Sequence, residues 1–175
     1  MEAIENKNIE RVKSILNNST ENKKILELNE KNKNGNYPLF GAIIKNNIEI
    51  VQLLIEYANQ HQIILELNEK NKDGSYPLYS AIIINNIEIV QLLIEYVNQH
   101  QIILELNEKN KDGKYPLYSA IRNNNIEIVK LLIDYALQHQ IILEYDKKKI
   151  EDKPKIENLL QNYEKEMENR KKVIN

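Results

Sequence analysis

From Ile87 to Leu104 the chain reads IEIVQLLIEYVNQHQIIL, with Ile87, Val90, Leu93, Ile94 and Val97 three or four residues apart. That spacing puts them on one stripe of an α-helix. Ahead of it, PLYSAIII (Pro77–Ile84) opens on a proline, which forfeits no hydrogen bond at the first position of a helix. A short first helix is predicted there. Asn85-Asn86 ends it, asparagine being tolerant of the left-handed conformation. NKDG (Asn71–Gly74) before it is turn material, with Gly74 supplying the positive φ. One unit is thus a turn and two antiparallel helices. A lone helix pair cannot bury its apolar face, so units must stack.

The same pattern returns. Gly35, Gly74 and Gly113 stand 39 residues apart, as do Pro38, Pro77 and Pro116, and His61, His100 and His139. Three full units follow at 28–66, 67–105 and 106–144, and neighbouring copies differ at about six or seven positions. A partial unit, 1–27, precedes them. Its NNSTENKK stands where the next unit has EYANQHQI, which suits a terminal cap with one face in water. The array is therefore read as 1–144. Over 145–175 the repeat decays into a segment with Ile156, Leu159, Leu160, Tyr163 and Met167 at helical spacing. Glu157 near its start and Arg170, Lys171 and Lys172 near its end complement a helix dipole. A closing amphipathic helix is expected, its apolar stripe covering the last repeat.

Gly74, Pro77, Leu78, Ala81, Ile89, Val90, Leu92, Leu93 and the pair Leu67-Asn68 fall where the ankyrin repeat has its marker residues, so the unit resembles that family from Ala3 to about Glu144. The resemblance implies an all-α fold, an ankyrin-type α-solenoid of stacked helix–turn–helix units joined by hairpin-like turns, with a C-terminal capping helix. Three departures stand out. The family's Thr-Pro-Leu-His is Tyr-Pro-Leu-Tyr or Tyr-Pro-Leu-Phe here, so Tyr37, Tyr76 and Tyr115 must fix the turn by packing. The glycine between the helices is asparagine. The unit also exceeds the family's usual length of about 33 residues, and the excess falls at NQHQII (Asn59–Ile64 and its copies), read as a helix extension or a packed loop.

Composition narrows the function. A formal net charge of −2 offers no field to draw the chain onto nucleic acid or an anionic membrane. No apolar run approaches the roughly 20 residues of a membrane helix, and the charged N-terminus has no secretory pattern. The expected setting is intracellular, cytoplasmic or nuclear, the latter if Lys147–Lys149 or Arg170–Lys172 act as a basic signal and not as solvated helix flanks. With no cysteine, thiolate chemistry is excluded. His61, His100 and His139 invite a metal reading, but equivalent residues of stacked units lie roughly 8–10 Å apart, whereas zinc ligands must converge to about 2 Å. Glu49, Glu88 and Glu127 repeat in identical surroundings, and an acid–base pair needs unlike ones. Their expected role is at the start of the second helix. No catalytic residue, metal ligand or cofactor is expected.

A binding face is sought where the copies differ. Differences fall at Asn36, Ser75 and Lys114; at Phe40, Tyr79 and Tyr118; and at Gly41, Ser80 and Ser119. They continue at Ile44, Ile83 and Arg122, and at Lys45, Ile84 and Asn123. These slots lie on the turn and first helix, which in the ankyrin family form the concave, protein-binding face. Drift on any exposed face would give the same pattern, but large apolar residues grouped with Lys45, Lys114 and Arg122 suit a binding groove. Phe40, Tyr79 and Tyr118 occupy the family's partly buried histidine slot, which weakens their claim. The expectation is a monomeric, non-enzymatic module that binds another protein. The alternatives are a structural spacer or targeting arm of a larger assembly, or an interaction ridge on the NQHQII segments.

Overall fold

The computed structural model describes Met1–Ile174, with side chains through Lys172. Among the described residues the structure is all-helical and contains no strand. It divides into two compact units, Met1–Ile102 and the residues from Ile103 onward. The first holds α1 (Glu2–Glu5), α2 (Ile9–Glu21), α3 (Pro38–Ile44), α4 (Ile48–Gln60), α5 (Pro77–Ile83) and α6 (Ile87–His100). The second holds α7 (Pro116–Arg122), α8 (Ile126–His139), a 3-10 turn at Lys147–Lys149, and α9 (Pro154–Ile174). No described helix is long and apolar enough to cross a membrane.

The helix boundaries follow from local chemistry. Pro38, Pro77 and Pro116 each open a first helix that has no side-chain N-cap. Between the helices the two asparagines divide the work. Asn46, Asn85 and Asn124 take positive φ, 51°, 60° and 52°. Asn47, Asn86 and Asn125 then cap the second helix, each side-chain oxygen accepting the backbone N–H three residues on, at 3.0–3.1 Å. In the partial unit Lys7 holds the left-handed position and Asn8 the cap. The acidic Glu49, Glu88 and Glu127 sit in the first turn, as expected.

In the first unit α3 packs on α4 and α5, α5 on α6, and α4 lies against both α2 and α6. α4 is therefore covered on two sides, and its buried residues, Ile50, Val51, Leu54, Tyr57 and Ala58, form an arc wider than one stripe, an arc that α6 repeats. Ile89 and Tyr96 join Val90, Leu93 and Val97 in the core, while Ile87 and Ile94 are only half-buried. This corrects the single stripe predicted from spacing. In the second unit α9 packs on α8 through Ile156, Leu160 and Tyr163, with Leu159 and Met167 at the margin. The closing helix is as the sequence predicts.

The additional residues make both a longer helix and a packed loop. The second helices run to Gln60, His100 and His139, and Gln62, Gln101 and Gln140 then reverse the chain at φ 54–56°. In the segment that follows, Leu65, Leu104 and Leu143 are buried, so their backbone N–H groups need partners away from water. A tyrosine hydroxyl from the following second helix, or from α9, supplies each one. Tyr96 Oη accepts from Leu65 N–H at 3.0 Å and donates to the Ile63 carbonyl at 3.2 Å. Tyr57 serves Leu26, Tyr135 serves Leu104, and Tyr163 of α9 serves Leu143. A side-chain amide ties the same loop: Asn29 holds Ile64 O and Glu66 N, and Asn107 holds Ile142 O and Glu144 N.

Two phenylalanine substitutions separate this clamp from simple packing. Tyr96→Phe leaves a buried N–H unpaired and is expected to cost about 1–3 kcal/mol. The Tyr37 hydroxyl is buried with no partner, so Tyr37→Phe is expected to be neutral or stabilising. Urea denaturation of both variants checks the contrast; equal losses would refute the clamp.

Candidate functional site

The turns are built on one asparagine each. Asn32, Asn71 and Asn110 accept through Oδ1 from the N–H groups two and four residues on, at 2.9–3.0 Å. Gly35, Gly74 and Gly113 take φ 79°, 75° and 74°. In the first unit successive turns also touch. Lys72 N–H donates to Asn34 O at 3.1 Å, and Asn71 Nδ2 to Asn36 Oδ1 at 3.1 Å. A Cβ at Gly35 would stand 3.1 Å from the Lys72 nitrogen, so glycine is required twice over, for φ and for this approach.

Behind each turn the tyrosine before proline packs as the sequence suggests. Tyr37 and Tyr76 are fully buried and Tyr115 half-buried. Their rings lie 5.9 Å from Phe40, Tyr79 and Tyr118 respectively, within the range of favourable tilted pairs.

The sequence-selected residues separate by slot. Asn36, Ser75 and Lys114 are half-buried on the turns, with their backbone N–H groups held by the turn asparagine. Because that asparagine locks the backbone, the side chain at this slot is free to change. Ile44 and Ile83 end α3 and α5 with 43% and 45% of their surface exposed, and Arg122 ends α7, exposed. Lys45 and Ile84 are half-buried and Asn123 exposed at the C-caps.

Tyr79 belongs with the core. It is 3% exposed, as Phe40 is fully buried, because each ring packs inward on the tyrosine three residues earlier. It cannot contribute surface to a docking face. Ser80 and Ser119 are buried too, and a Cβ at Gly41 would meet Met1 and Ile4. Variation between copies thus reaches into the core and is not a map of exposure.

In the second unit Tyr118 and Arg122 line one cavity of about 220 Å³ together with Asp146, Lys149 and Lys153. Sequence reasoning marked Lys149 only as part of a basic run and did not place any of the last three beside Arg122, because they lie past the end of the repeat and carry no periodic signal.

The histidines are structural partners of the clamp. His61, His100 and His139 stack on Tyr57, Tyr96 and Tyr135, with ring centroids 4.2–4.3 Å apart. His100 Nε2 bonds Asn59 Oδ1 at 2.8 Å and His61 Nε2 bonds Thr20 Oγ1 at 3.0 Å. Among the described residues no group of three His, Cys, Asp or Glu gathers as a metal site would require. The clamp tyrosines were missed from sequence although Tyr57, Tyr96 and Tyr135 share the 39-residue period. Periodicity marked them, but only the fold shows what their hydroxyls reach.

Burial raises the pKa of Tyr96, Tyr135 and Tyr163 above 10.0, opposed in each by the leucine N–H donor. Tyr37 is raised further, by burial first and then by the Glu66 and Glu69 carboxylates. A raised phenol favours the protonated form in the folded state. The associated stability is complete below the unfolded value near 10 and is lost as pH rises through the folded values. Alkaline titration is therefore expected to ionise these tyrosines together with unfolding. The part of the tyrosinate absorbance that Tyr37→Phe removes should appear at the midpoint of the far-UV circular dichroism change, and that variant should unfold at a higher pH; ionisation of Tyr37 well before loss of helix would contradict this.

A family model described as ankyrin repeats (three copies) matches the chain over two overlapping ranges, residues 1–101 and 61–142. No curated protein matches it.

Proposed function

The chain belongs to the ankyrin-repeat family, and from that premise we propose that it is a non-enzymatic protein-binding module whose turns and first-helix ends form the docking surface. Ankyrin repeats generally serve protein–protein interaction. The observation that carries the reading is the exposed pair Ile44 and Ile83, at equivalent ends of the adjacent helices α3 and α5. Two exposed isoleucines at the same register form apolar surface with no role in the core. In the second unit the same slot holds Arg122, which shares its cavity with Lys149, with Lys153 (paired to Asp152) and with one carboxylate, Asp146, so that cations outnumber acids in the lining. That surface suits an acidic group on the partner.

A second reading has an observation of its own. Ile25 and Ile64 in the first unit, and Ile103 and Ile142 in the second, expose 51–62% of their surface on the loops after the second helices. Within the first unit Ile25 and Ile64 supply an alternative interaction ridge on the loops of the long repeat.

The readings part on mutation. Ile44→Glu with Ile83→Glu is expected to lower partner recovery from the native host at least about tenfold, while the unfolding free energy shifts by no more than about 0.5 kcal/mol, as for other surface changes. Arg122→Glu alone should weaken capture and flatten its salt dependence. Affinity purification with mass spectrometry measures both. Full recovery by the isoleucine variant, with loss in Ile25→Lys, Ile64→Lys, would move the site to the ridge.

A further inference from the structure

The first unit carries an apolar cavity of about 490 Å³ beside α1, α2 and the loop from Lys24 to Asn32, a size typical of ligand sites. The repeat itself says what fits there. In the next copy Tyr37 is fully buried, its ring 5.9 Å from Phe40 and its hydroxyl under the influence of Glu66 and Glu69. Stepping back 39 residues from Phe40, Glu66 and Glu69 gives Met1, Glu27 and Glu30, and all three line the cavity. Ile15 lines it as well, 37% exposed, although its counterparts Leu54, Leu93 and Leu132 are at most 2% exposed.

The charged surroundings match too. Lys31, six residues before Tyr37, bonds Glu69 at 2.7 Å, and Lys109, six before Tyr115, bonds Glu144 at 3.1 Å. The equivalents of those two carboxylates are Glu30 and Glu27. A segment lying in the cavity as the turns lie in their own units would set a lysine against these carboxylates and a tyrosine against Met1.

We propose that this cavity is a peptide-docking site for an extended segment of a partner protein reading lysine, five residues, then Tyr-Pro-Leu. The site is separate from the turn and first-helix surface proposed above. A second copy of this chain is a poor occupant, because its own Leu39, Leu78 and Leu117 are buried and Tyr37 and Tyr76 fully enclosed. It could offer those segments only by unfolding. A tyrosine brings about 150–250 Å² of burial, and the proline holds the preceding residue extended, which lowers the ordering cost at the Tyr-Pro step.

The probe is the labelled peptide EKNKDGSYPLYS, the sequence of residues 69–80, titrated into the full chain by fluorescence polarisation. Saturable binding is expected, weakened about tenfold or more by Tyr76→Ala in the peptide or by Ile15→Lys in the protein. Glu27→Lys, on an exposed side chain, should weaken it through the lysine alone, and a Lys70→Ala peptide should bind both proteins equally. Amide shifts on binding should centre on Met1–Leu16 and 24–32. Equal binding of the parent and Tyr76→Ala peptides would overturn the proposal. So would shifts centred elsewhere, or a concentration-dependent dimer that Ile15→Lys abolishes.

Discussion

A dry backbone N–H is the constraint on which the rest of this structure depends. After each second helix the chain must cross to the next turn, and it does so with a leucine pointing inward. Burying Leu65, Leu104 and Leu143 carries the backbone inward with them, where no ladder or helix can satisfy it. The tyrosine hydroxyl meets that need because it accepts and donates at once. Tyr96 and Tyr163 each take an N–H and return a proton to the carbonyl two residues earlier. The first unit reaches the equivalent carbonyl by relay. Ser19 Oγ donates to Lys24 O and meets the Tyr57 hydroxyl, both at 2.5 Å.

This constraint also explains the repeat's length and its histidines. Carrying the helix one turn past the tyrosine brings a histidine to the i+4 position, over the phenol ring. From there its Nε2 reaches back to Asn59 or Thr20 of the preceding helix. The histidine thus steadies the tyrosine from above, and its own nitrogen is engaged in that role. The residues beyond the helix form the loop that the tyrosine and Asn29 or Asn107 hold from either side. Helix extension, histidine, tyrosine and loop are one device, which is why they recur together.

What could be read from sequence was what local chemistry decides. Glycine φ, proline at a helix start and the asparagine break depend on a few neighbouring residues, and each stands where the sequence predicts it. Burial depends on what packs from outside the unit. One helical stripe cannot show that α4 touches helices on two sides, so the core positions Ile50 and Tyr57, and Ile89 and Tyr96 at the same slots of the next copy, lie outside the predicted stripe. The same limit put Tyr79 on the surface in prediction, when the tyrosine at its own turn draws it inward. For the candidate site, position along the repeat was legible and exposure was not. Ile44, Ile83 and Arg122 reach solvent, whereas the neighbouring slots at Ser80 and Ser119 do not.

The C-terminal closure shows how far the clamp governs the end of the chain. Tyr96 and Tyr135 each reach a leucine 31 residues earlier, across a complete turn and first helix. Tyr163 reaches Leu143 across only 20. The turn and first helix have been dropped, replaced by the 3-10 turn at Lys147–Lys149, while the second-helix role is kept by α9. Closing the last loop therefore requires the hydroxyl and the helix that carries it, and not a whole repeat. Tyr115 reflects what was dropped, being only half-buried where Tyr37 and Tyr76 are enclosed. Closure at this end satisfies the backbone first and leaves part of an aromatic ring uncovered, the ordering expected where a buried unpaired N–H costs more than a partly exposed ring.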